Sequence, residues 1–179
     1  MVINKTSIHI KERENNMGTK FISLIYFLFL FVGCATFKPP TTYKFENQRT
    51  YNKTYDEVWE KAIEYFALNA TPVKNIDKQS GFVASDMNLS ISNYPEYSDC
   101  GIGERGLFHI ITIINPIGHF NVLIKKINEN QTNVIITVVF SATIESQIAT
   151  SYGVQYRYDK TSCNSKGVME KQFLNYIAK

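Results

Sequence analysis

Two hydrophobic periods divide the chain after residue 53. Val58, Ala62 and Phe66 recur every fourth position, with Trp59 and Ile63 beside them. Asp56, Glu57, Glu60, Lys61 and Glu64 fill the polar positions between them. One apolar stripe at this spacing predicts an amphipathic helix. Thr54-Tyr55-Asp56-Glu57 precedes it as a capping box: the Thr54 hydroxyl can accept a late amide proton, and Glu57 can reach back. Pro72 puts the end of the helix near Asn69.

Past Pro72 the period falls to two. Residues 73–77 and 82–86 read as short strands around the turn Lys78-Gln79-Ser80-Gly81. Residues 107–114, 119–127 and 132–145 read as longer strands, the last with Val134, Ile136, Val138 and Phe140 on one face. Asn115-Pro116-Ile117-Gly118 and residues 128–131 read as the turns between them. Residues 88–106 and 146–164 show no clear period and are expected as long loops. Met169, Phe173 and Ile177 fall four apart and predict a closing helix, started by Ser165 or Gly167. Helix, strands, helix implies an α+β fold. The simplest burial is a single antiparallel meander of about five strands with both helices on one face.

The first third is different. Residues 21–32 are apolar or small except for Ser23, and Lys20 precedes them. A run of about a dozen residues is short for a bilayer span, which takes about 20. It suits the apolar region of an export signal. The run closes Phe31-Val32-Gly33-Cys34-Ala35. This resembles the signal of bacterial lipoproteins, with Phe31 standing where Leu is usual. The resemblance implies that Cys34 is lipidated and becomes the first residue of the mature chain, which attaches to a membrane without spanning it. Ala35 and Thr36 in place of Asp imply, within that family, the outer membrane. Residues 1–16 are polar and carry no motif, and Met17 is an alternative start. The organisation expected is an export signal over 1–33, a lipidated end and polar tether over 34–53, and one α+β domain over 54–179. The tether holds Pro39-Pro40, with room for a short strand over 43–49. The element order also has a vague likeness to the helix-grip domains of small envelope lipoproteins, including outer-membrane assembly accessory lipoproteins. That likeness carries no functional residue.

Charge narrows the partners. Nineteen basic and sixteen acidic residues give +3. Four of the basic and two of the acidic residues precede position 21, so the remainder carries +1. That balance offers nucleic acid no concentrated basic surface.

Three cysteines, less Cys34, leave Cys100 and Cys163. In an exported domain they are candidates for a disulfide. Two buried thiols, or a Cys100 nucleophile served by a histidine, are the alternatives. Gly101-Ile102-Gly103-Glu104-Arg105-Gly106 matches G-x-G-x-x-G but lacks the preceding strand and following helix that aim amides at phosphate, so it reads as a loop. His109 and His119 would lie about 17 Å apart on a hairpin closed at 115–118, too far to share a metal. Asp86, Glu96, Asp99 and Glu104 are scattered loop acids, with no spacing that specifies a hydrolase pair. No cofactor or metal site is expected.

Tyr94 and Tyr97 precede Cys100, and Tyr152, Tyr156 and Tyr158 precede Cys163. A bridge would hold two tyrosine-bearing loops together, as an interaction surface or as cover for the sheet. The expectation is a lipid-anchored, non-catalytic envelope protein facing the periplasm, with a binding or assembly-accessory role toward an envelope protein. A small-ligand carrier with a cavity between sheet and helix, and an envelope-polymer hydrolase, are the alternatives.

Overall fold

A computed structural model of the chain describes residues 37–179 apart from residue 70. The export signal expected over 1–33 and the lipidation expected at Cys34 lie outside the described residues. Among the described residues there are nine strands: β1 Phe37–Lys38, β2 Gln48–Tyr51, β3 Val73–Asp77, β4 Phe82–Asn88, β5 Ser98–Asp99, β6 Ile102–Gly103, β7 His109–Asn128, β8 Gln131–Thr150 and β9 Gly153–Ser165. The helices among the described residues are α1 Tyr55–Leu68, α2 Tyr94–Tyr97 and α3 Val168–Ile177. The fold is α+β and every strand pairing is antiparallel. Seven strands, rather than about five, form the main sheet, in the order β3-β4-β7-β8-β9-β5 with β2 also on β8.

The capping box forms as its residues require. Thr54 Oγ1 accepts from the Glu57 amide and Glu57 Oε2 accepts from the Thr54 amide at 2.8 Å. Val58, Trp59, Ala62, Tyr65 and Phe66 of α1 are buried, as are Met169, Phe173, Leu174 and Ile177 of α3. They meet the sheet face carrying Phe120, Val122, Ile124, Val134, Ile136 and Phe140. Phe66 packs edge-on against Phe120, ring centres 6.2 Å apart, and also against Phe173 at 5.8 Å.

Two expected turns or loops are strands. Asn115 to Gly118 does not close a hairpin: β7 runs straight through it for 20 residues. Ile114 pairs with Thr143 and Ile117 with Ser141, so two β7 residues oppose one β8 residue in a bulge. Asn115 takes φ 51° there, a conformation asparagine tolerates better than most residues, and Pro116 needs no ladder donor at that point. The bulge reverses the facing of the strand. Ile111 and Ile113 face the core before it; Phe120, Val122 and Ile124 face the core after it. The expected loop over 146–164 is instead the end of β8, a tip at Ser151-Tyr152 and most of β9. The segment expected as a tether also joins the fold from residue 37. Phe37 pairs with Gly103, and β2 pairs with β8 from Gln48 to Tyr51.

One edge of β8 is paired with β7 for nearly its full length, while β2 and β9 share the other, end to end. β2 pairing stops at Ile135 and β9 pairing starts at Phe140, leaving the Val138 amide in the gap. Glu170 fills it. Glu170 is 1% exposed, and its carboxylate accepts from the Val138 amide and from Ser165 Oγ at 3.0 Å. Burial raises its pKa above the ordinary 4.5, against the pull of these donors. The folded state therefore holds this proton more tightly than the unfolded one. The contribution is fully present below pH 4.5 and is lost as pH rises through the raised folded value. Urea midpoints measured from pH 4.5 to 8 should show that decline in the wild type and a flatter profile for Glu170→Gln. Parallel profiles would show that Glu170 is not the titrating group.

Candidate functional site

Cys100 and Cys163 are disulfide-bonded, with alpha carbons 4.1 Å apart, just under the usual lower bound of about 4.4 Å. Both are buried. The bridge fastens the irregular stretch 88–106 to the C-terminal end of β9. Around it β5 pairs Ser98 with Ser165 and Asp99 with Asn164, and the Lys166 amide donates to Tyr97 O at 3.0 Å.

Beside the bridge is an open cleft of about 620 Å³. Tyr43, Tyr94, Asp99, Ile102, Ile113 and Lys166 are among its walls. Asp99 organises it. One carboxylate oxygen accepts from the Gly101 amide at 2.8 Å. The other accepts from the Thr41 amide at 2.9 Å and the Tyr43 hydroxyl at 3.1 Å. Burial pushes the Asp99 pKa up, but these donors outweigh it and hold the group below the ordinary carboxylate value. Asp99 thus ties residues 41–43 to the bridged loop. Its Asp-Cys-Gly sequence is the signal that could have singled it out, because an aspartate two residues before a glycine favours an Asx turn.

Two of the three glycines of the G-x-G-x-x-G match, Gly101 and Gly103, serve packing. Gly101 has φ +84°, and a β-carbon there would come within 2.3 Å of the Lys38 carbonyl. At Gly103 a β-carbon would come within 2.2 Å of the Ile111 carbonyl. Backbone approaches this close need glycine. No helix follows the motif, so no row of amides is aimed outward.

The five tyrosines do not form one surface. Tyr94 and Tyr97 are half-buried against the core, and Tyr94 also lines the cleft. Tyr152 is 99% exposed at the β8–β9 tip, eleven residues from Cys163, or about 36 Å along a strand. Tyr156 and Tyr158, 56% and 58% exposed, lie on the opposite face of β9 from Cys163, because odd and even strand positions face opposite ways. The expected surface fails because the expected loop is a long strand, which carries its rings away from the bridge.

The remaining candidate chemistry is also separated. His109 and His119 are ten residues apart on one strand, about 33 Å rather than 17 Å. His119 Nδ1 contacts Asp86 Oδ1 at 2.7 Å. Asp86 also pairs with Lys74, and the hydrogen bonds from Lys74 and then His119 lower its pKa. Lys38 pairs with Glu104 at 2.8 Å. Cys100 is committed to the bridge and cannot supply a thiolate while oxidised. Among the described residues, no three His, Cys, Asp or Glu side chains converge as a metal-ligand set, and no helix is long and apolar enough to cross a membrane. No protein-family model matches the chain, and no curated protein matches it.

Proposed function

We propose that this chain is a lipid-anchored, non-catalytic protein of the bacterial cell envelope. In this reading it faces the periplasm from the outer membrane and has a binding or assembly-accessory role. The observation that carries the reading is the Cys100–Cys163 bridge. Disulfides persist in exported proteins and are rare in the cytosol. Two of the three cysteines are accounted for, leaving Cys34, which ends the apolar segment and matches the lipoprotein junction. The folded region begins by residue 37, so a lipid on Cys34 would hold the domain close to the membrane surface rather than on a long tether. The contacts of Asp86, Asp99 and Cys100 support the non-catalytic part, since each is engaged in holding the fold. The layer in which a carrier would keep its ligand, between sheet and helices, is filled by Phe66, Phe120 and Phe173. The open cleft beside Asp99 is a concave surface suited to a partner.

Fatty-acid labelling in the producing cell tests the anchor. The wild-type chain should incorporate label and fractionate with membranes. Cys34→Ala should lose the label and leave the membrane fraction. Equal labelling of the two, or a mature chain beginning at a residue other than Cys34, overturns the lipoprotein reading.

A further inference from the structure

β9 is paired with β8 from Gly153 to Cys163 and with β5 only at Asn164 and Ser165. On the side away from β8, residues 154–162 have no strand partner among the described residues. Alternate amides and carbonyls along that edge are therefore open to another strand. Folded proteins normally block such an edge with proline, a bulge, several charges or short length. This edge has no proline and no bulge, is nine residues long, and presents exposed Val154, Tyr156 and Tyr158. Its three charges, Arg157, Asp159 and Lys160, are of both signs, so they bar a strand of matching charge but not an antiparallel copy of the same edge.

We propose that two copies of this chain associate about a two-fold axis by antiparallel pairing of their β9 edges, with Tyr158 on the axis. Two separate features select that register. The first is length. The free edge is bounded by the tip glycine at one end and by β5 at the other, and its midpoint is Tyr158. Centred there, Val154 opposes Ser162 of the second copy and the whole edge is used, without displacing β5.

The second is charge. About Tyr158, each Arg157 lies directly opposite Asp159 of the other copy, twice. On the other face each Tyr156 lies opposite Lys160, placing an ammonium beside an aromatic ring. A two-fold axis keeps like faces together, so the axis passes through a residue and neighbouring registers differ by one position. A register centred on Arg157 sets arginine against arginine, and one centred on Asp159 sets aspartate against aspartate. Directly opposed unlike charges stabilise an antiparallel pair and like charges destabilise it. In the single chain Arg157 and Asp159 pair with each other at 2.8 Å along the strand, both largely exposed. Exchanging these partners across the axis keeps Arg157 and Asp159 matched. The interface is isologous and closed, so it ends at two copies rather than growing into a fibre.

Sedimentation of the purified full chain in detergent tests this, with bound detergent subtracted from the mass. The wild type should be a dimer at about 100 µM protein. Arg157→Asp alone and Asp159→Arg alone each set like charges against one another twice. Each should weaken the dimer at least about tenfold, with the melting behaviour of the monomer kept. The double exchange, Arg157→Asp with Asp159→Arg, should restore the dimer. A monomeric wild type, single reversals that leave the dimer intact, or a double exchange that stays monomeric overturns the proposal. Cys34→Ala repeats the series without lipid. A dimer that survives there supports β9 pairing whether or not the anchor reading holds, and one that vanishes there was held by the anchor and overturns the proposal.

Discussion

Phe173→Ala should lower the stability of the domain by about 3–5 kcal/mol, read as a fall in the urea midpoint at unchanged slope. Phe173 is wholly buried where α3 meets α1 and the sheet. Its ring sits edge-on to Tyr65, centres 5.0 Å apart, and 5.8 Å from Phe66. Truncation removes transfer free energy and also leaves a cavity that neighbouring rings, fixed on different elements, cannot easily fill. A domain of this size has about 5–15 kcal/mol in total, so much of the folded population is at stake. Leu68→Ala is the control. Leu68 is 68% exposed at the end of α1, and its loss should stay within about 0.5 kcal/mol. Equal shifts for both variants would place the core somewhere other than between the two long helices.

The helices were legible because each owes its form to residues close in sequence. Thr54 and Glu57 cap α1 within one turn, and the apolar stripe of α1 names its buried face. The same holds for Met169, Phe173 and Ile177 in α3. The strands were legible where one face is buried and the other wet, as along Val134, Ile136, Val138 and Phe140. Failures came where pairing at a distance decided the structure. Asn-Pro-Ile-Gly has good turn chemistry, but β8 runs beside it on one side and β4 joins on the other, so the ladder continues through it as a bulge. β9 was missed because most of it is exposed on both faces. Val154, Tyr156 and Tyr158 do alternate with Gln155, Arg157 and Asp159, but tyrosine is equally at home in loops. Of the candidate site, the disulfide followed from counting cysteines. The Asp99 clamp did not, because its donors at Thr41 and Tyr43 lie 58 and 56 residues away.

Replacing both Cys100 and Cys163 by serine should cost about 4 kcal/mol, the chain-entropy value for a closed loop of this size. The bridged residues are 63 apart in sequence, and the loop between them contains β6, β7 and β8. Strands inside the loop keep their own pairings, so the variant should still fold, with a lower urea midpoint. The damage should also be uneven. β5 holds β9 by two residue pairs, and Asp99 ties residues 41–43 to that same short strand. Without the bridge this corner rests on a few hydrogen bonds, whereas α1 and α3 retain their aromatic core. Hydrogen exchange in the variant should therefore accelerate more at the Thr41 and Gly101 amides than at amides in the middle of α1. The double variant, rather than a single one, avoids leaving a free buried thiol to form a mixed disulfide. An oxidised wild type and a double variant with the same urea midpoint would show that the bridge adds nothing to the global fold. Uniform acceleration of exchange, with α1 losing as much protection as Thr41, would show that the corner does not open separately and that the cleft is as rigid as the core behind it.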